Sequence, residues 1–138
     1  MILLLRFCFA AILVLMTWGT IRASLDQALF DIPSEVTGNP WFQVTLLDAY
    51  FAFFTAYVWI AWREQSLGAR ILWLITVMLW GNFALATYLL IALFRIPTDG
   101  SLSAVFTTRQ PGKLLVPSVF VAIGVVVYLL GAKNVLFA

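Results

Sequence analysis

Residues 41–94 read WFQVTLLDAYFAFFTAYVWIAWREQSLGARILWLITVMLWGNFALATYLLIALF, and the fold turns on how this stretch is read. Two apolar runs are joined by Arg63-Glu64-Gln65-Ser66-Leu67-Gly68-Ala69-Arg70, with one carboxylate, Asp48, inside the first and one amide, Asn82, inside the second. Each run supplies the roughly 20 residues that an α-helix needs to cross about 30 Å of hydrocarbon. The pattern predicts a membrane-spanning helical hairpin with spans over residues 41–62 and 71–94.

Upstream of the hairpin, Gly38-Asn39-Pro40-Trp41 is a helix start: Asn caps, and Pro fits a first turn that needs no amide hydrogen. Residues 2–21 form another apolar run, interrupted only by Arg6. A cleaved signal peptide is the rival reading, but a cut after Ala23 would put Ile21 where a small residue belongs, so the run is expected to be a retained first span. The loop between, residues 22–39, sets Asp26, Asp31 and Glu35 against Arg22 alone, and the spacing over residues 23–30 suggests a helical extension at the interface. Downstream, Pro97 and the Asp99-Gly100 pair stop the helix and turn the chain, and residues 102–106 can dip into the interface. A last span is expected over residues 114–130, with Pro117 tolerated in its first turn. The expected fold class is therefore all-α, a four-span transmembrane helical bundle forming a single integral membrane domain over residues 1–138.

Composition supports this and removes alternatives. With 64% hydrophobic residues, 10% charged and a mean hydropathy of +1.04, the chain has too little polar surface for a water-soluble fold. Eight basic and six acidic side chains, scattered and netting +2, do not make a nucleic-acid surface. A single cysteine, Cys8, and no histidine exclude an internal disulfide, a Cys/His metal site and imidazole-held haem. No nucleophile has a base beside it and no Gly-rich phosphate loop is present. No catalytic residue, metal or cofactor is therefore expected, and the chain is not read as an enzyme.

Four polar or aromatic residues within the runs are candidates for the bundle interior: Asp48, Asn82, Tyr88 and Trp80. A carboxyl group inside a span costs at least about 2.5 kcal/mol on insertion scales, so Asp48 is expected to face other helices, along the stripe Thr45, Ala52 and Thr55. Its expected role is an interhelical hydrogen bond, and Asn82 is read the same way. Treating residues 71–94 as one helix puts Tyr88 and Thr87 near the level of Asp48, with Arg22 or Arg95 able to snorkel toward it. Trp59, Trp62 and Trp73 flank the 63–70 turn as an aromatic belt, Trp18 and Trp41 mark the opposite face, and Trp80 alone escapes that account. Arg63 and Glu64 are read as a solvated turn. Gly81, Ala84, Ala92, Gly124 and Gly131 are read as close helix contacts, Gly124 and Gly131 sharing one face with Tyr128.

Four spans put both termini on one side, with Arg6, Arg63, Arg70 and Lys133 there and Arg22, Arg95, Arg109 and Lys113 on the other. That tie is broken by the acidic first loop and the compact Arg63/Arg70 turn, which favour cytoplasmic termini in a bacterial inner membrane.

The strings Asn39-Pro40-Trp41-Phe42, Thr45 to Tyr50, Trp62-Arg63-Glu64-Gln65-Ser66, Arg70-Ile71-Leu72-Trp73 and Gly81-Asn82 carry a resemblance. Over about residues 1–96 the chain resembles a domain-of-unknown-function family of small multi-spanning membrane proteins from bacteria and plants. The resemblance implies fold and location, and no activity. The expected role is an accessory or structural subunit of a larger membrane complex, in contact with the lipid bilayer and not with nucleic acid. The alternative is a binder or carrier of a lipid, pigment or other apolar ligand in a cavity near Asp48.

Overall fold

The computed structural model describes residues 1–132. These residues fold into seven helices: α1 Ile2–Asp26, α2 Ser34–Thr37, α3 Pro40–Arg63, α4 Leu67–Trp80, α5 Asn82–Phe94, α6 Leu102–Thr107 and α7 Leu115–Gly131. The all-α class holds, and among the described residues no strand forms. Only α1 and α3 are both long and apolar enough to cross a membrane, by length and composition. The start of α3 follows the sequence signal: the Asn39 side chain accepts from the backbone N–H of Trp41 at 2.9 Å, and Pro40 opens the helix.

The expected span over residues 71–94 is not one helix. It breaks at Gly81, where φ is +50° and ψ −121°, a conformation that suits a residue without a Cβ. The chain then reverses. Trp73 and Tyr88 would lie about 22 Å apart along a straight helix, yet their ring centroids are 4.8 Å apart with the planes at 84°. Helices α4 and α5 thus form a short antiparallel hairpin with Gly81 at its tip. A Cβ at Gly81 would lie 2.7 Å from the Phe53 ring, so α3 closes over the tip. Fourteen residues give α4 a length of about 21 Å, short of a full crossing.

The hairpin is the hub. Ile60 of α3, Ala69, Trp73 and Val77 of α4, and Ala84 and Tyr88 of α5 form the main buried cluster. On its other side α1 packs along α5, burying Ile2 with Ala92, Leu93 and Val105. Arg6 fixes that contact, donating from Nη2 to the carbonyls of Leu93 at 3.0 Å and Ile96 at 2.6 Å, where α5 ends and its carbonyls lack intrahelical partners. Helix α7 packs on α4. The Trp80 indole N–H donates to the Phe120 carbonyl at 2.8 Å, and the Tyr128 hydroxyl donates to the Leu79 carbonyl at 3.0 Å. Gly124 sits against Trp80, where an added Cβ would meet Nε1 at 2.8 Å, and Gly131 lies beside Leu29 and Phe30. The expected close helix contact is present at Gly124, whereas Gly131 meets the loop after α1 at ordinary van der Waals distance.

This wiring sorts the charges. Met1, the C-terminal ends of α3 and α5, the start of α4 and the start of α7 share one end of the bundle. Gly131 reaches the other end, beside the loop that follows α1. The two ends of the described chain therefore lie at opposite ends of the bundle, in place of the shared side that four spans require. Six basic side chains, Arg6, Arg63, Arg70, Arg95, Arg109 and Lys113, collect at the Met1 end. Arg22 lies toward the opposite end with Asp26, Asp31 and Glu35. Lys133, counted above with the termini, lies outside the described residues.

Candidate functional site

The basic end holds a buried polar centre built from the turn read above as solvated. Arg63 is 1% exposed and Glu64 3% exposed. The chain buries them because residues 108–110 lie back across the end of α3. The Gln110 N–H donates to the Arg63 carbonyl at 2.8 Å, the Gln65 N–H donates to the Gln110 carbonyl at 3.1 Å, and Arg63 Nε donates to the Thr108 carbonyl at 2.9 Å. Two adjoining rings face the guanidinium, Trp59 at 4.9 Å and Tyr88 at 5.4 Å from its central carbon, their own centroids 5.6 Å apart and edge-on to one another. A cation held against aromatic rings and out of water is attracted by their quadrupoles.

Glu64 is held from three directions. The Tyr88 hydroxyl donates to its Oε1 at 2.8 Å, Arg70 Nε donates to its backbone carbonyl at 2.8 Å, and Arg63 adjoins it in the chain. The Tyr57 hydroxyl in turn donates to the Arg70 carbonyl at 2.9 Å, tying α3 to the first turn of α4. Tyr88 reaches Glu64 only because the hairpin folds α5 back along α4. Two buried polar atoms of this centre have no hydrogen-bond partner among the described residues: Arg63 Nη1 and Glu64 Oε2. Buried polar groups are almost always paired, because an unmade hydrogen bond in a low-dielectric interior costs about 1–3 kcal/mol. Both residues line a cavity of about 110 Å³, with Arg95 and Lys113 among its other lining residues.

The residues singled out from sequence fall in different places. Tyr88 is buried in this centre. Trp80 is half-buried between α4 and α7, bonded to Phe120 and edge-on to the Phe83 and Phe120 rings, in a packing role. Asn82 is exposed at the hairpin tip, where it borders a second, apolar cavity between α1, α3 and α5. Asp48 is exposed on the outer face of α3 and lines neither of these two cavities, so the expected interior position is corrected. Nor is Tyr88 at the level of Asp48: Tyr88 bonds Glu64, about 24 Å further along α3. Arg95 lies at that same far end and cannot snorkel to Asp48. Trp73 is a core residue, 3% exposed, whereas Trp18, Trp41 and Trp62 are exposed as an interfacial belt requires.

The folded chain is thus an all-helical protein with two helices long and apolar enough to cross a membrane and a buried Arg–Glu–Tyr centre at its basic end. It belongs to the family described as Protein of unknown function (DUF1475), whose model matches residues 1–136 and so takes in α7 as well as the segment recognised from sequence. No curated protein and no solved structure matches the chain.

Proposed function

We propose that the protein is an integral membrane protein serving as an accessory or structural subunit of a larger membrane complex, with the outer face of α3 as its docking surface. Helices α1, α3 and α7 cross the bilayer, and the α4–α5 hairpin re-enters it from the basic end. The charge sorting supports one orientation. In a bacterial inner membrane the positive-inside rule puts the end with six basic residues, and Met1, in the cytoplasm, and the acidic loop and Ala132 outside.

The observation that carries the docking role is Asp48. It stands about 12 Å along α3 from Pro40, exposed, with large apolar neighbours Val44, Leu47 and Phe51 also exposed. The Thr45 and Thr55 hydroxyls on the same face are satisfied within α3, donating to Trp41 and Phe51 carbonyls at 2.8 and 2.9 Å. Asp48 faces outward instead, and a carboxyl group in contact with hydrocarbon is costly. A neighbouring subunit's helix that brings a hydrogen-bond donor to that level offsets the cost. The test is a photo-crosslinking amino acid at Ala52, compared with one at Val14 on α1, followed by mass spectrometry of the adducts. A single protein captured from position 52 and lost in Asp48→Leu is the expected result. Capture of lipid alone from position 52 overturns the reading.

A further inference from the structure

We propose that the cavity at the basic end binds a phosphate-bearing head group that carries a hydrogen-bond donor beside its phosphate. The inference is independent of the α3 docking face and rests on the unpaired groups around the cavity.

Three cations border the space. Arg63 is immobilised by Thr108 and by the Trp59 and Tyr88 rings, and its Nη1 has no partner. Arg95 and Lys113 also line the cavity and are otherwise exposed. Cations alone would accept any small anion. Glu64 narrows the choice, because its Oε2 is buried and unpartnered while Tyr88 occupies Oε1. A bare carboxylate or sulfate would leave that oxygen unpaired and add repulsion to it. A ligand that sets a phosphate toward Arg63, Arg95 and Lys113 and an N–H or O–H toward Glu64 satisfies both orphaned atoms together.

Size and walls agree with this chemistry. A volume of about 110 Å³ holds three or four groups of water size, the scale of a phosphate with a short substituent. Trp73, Ile91 and Val116 add an apolar wall, suited to the first carbons of an attached chain. Head groups of this kind are found on phospholipids and on soluble phosphate esters. The shared feature is the phosphate with a neighbouring donor.

The experiment titrates the full chain, in a neutral detergent, with three probes: dihexanoyl phosphatidylethanolamine, dihexanoyl phosphatidylcholine and soluble O-phosphoethanolamine. The two lipids differ only in replacing three N–H donors by methyl groups. Binding of the ethanolamine lipid is expected to be about tenfold or more tighter than that of the choline lipid, the scale of one hydrogen bond to a charged group. Glu64→Gln should abolish that preference while phosphate binding persists. The double variant Arg95→Gln/Lys113→Gln changes only exposed side chains, so it keeps the fold, and it should weaken both ethanolamine probes about tenfold or more. Tighter binding of the lipid than of O-phosphoethanolamine assigns the site to a phospholipid, and equal binding assigns it to a soluble ester; the head-group chemistry stands in both cases. Equal affinity for the two lipids, or no binding of any probe, overturns the proposal.

Discussion

Replacing Gly81 by alanine separates the α4–α5 hairpin from a continuous third span by the sign of its effect. In a straight helix over residues 71–94, Gly→Ala would stabilise by about 0.5–1 kcal/mol, since alanine loses less backbone entropy on ordering. At the hairpin tip the same change is unfavourable for two separate reasons. The backbone at φ +50° and ψ −121° is strained for any residue with a Cβ, at about 1–3 kcal/mol. The new methyl would also lie 2.7 and 2.8 Å from two Phe53 ring carbons, and overpacking of that kind costs typically about 1–3 kcal/mol. Phe53 is half-buried and able to give way in part, so the expected net loss is about 2–4 kcal/mol. Equilibrium unfolding of the purified protein in mixed detergent micelles measures it. Phe53→Leu in the Gly81→Ala background should recover the steric part and leave the backbone part. A Gly81→Ala protein as stable as wild type, or more stable, would refute the hairpin and restore the single span.

Further outcomes follow from the same geometry. In a Cys8→Ala background, Ser34→Cys and Ala132→Cys should react with an impermeant maleimide from outside intact cells and Ser66→Cys should not; reaction of Ser66→Cys alone would invert the orientation, and co-labelling of positions 66 and 132 would restore four spans. Tyr88→Phe leaves Glu64 with neither oxygen paired, and unfolding should show a loss of about 1–3 kcal/mol, whereas Tyr88→Phe combined with Glu64→Leu should lose less than the two single changes together. Gly124→Ala pushes a methyl to 2.8 Å from the Trp80 indole nitrogen, which should break its bond to the Phe120 carbonyl, lower stability by about 1–3 kcal/mol and shift tryptophan fluorescence. For Asp48, Asp48→Asn and Asp48→Leu should melt with the wild type in detergent, because the side chain is exposed; a lower melting temperature for Asp48→Leu would return Asp48 to the interior.

The sequence by itself determined what depends on local chemistry. Apolar runs of sufficient length with few charges dictate helices that avoid water, so the all-α class, the extents of α3 and α7, the Asn39-Pro40 helix start and the close contact at Gly124 were all legible, whereas α1 runs five residues past its expected end at residue 21. The break within residues 71–94 had a local signal in Gly81-Asn82, but glycine within a hydrophobic run serves equally for close helix packing, and only the position of Phe53 and the face-to-edge approach of Trp73 and Tyr88 decide between them.

One reversal at Gly81 then changed everything that depends on parity. It sent the C-terminal helix to the opposite end, turned a tie of basic residues into a six-residue cluster, and carried Tyr88 from the level of Asp48 to Glu64. The Arg63–Glu64 centre was illegible for the same reason. Its burial comes from Thr108 and Gln110, more than 40 residues downstream, and from Tyr88, 24 residues away. Periodicity reports which face of a helix avoids water. It carries no information on which distant segment will cover a charge, because that is set by how the helices pack, and packing is a property of the whole chain.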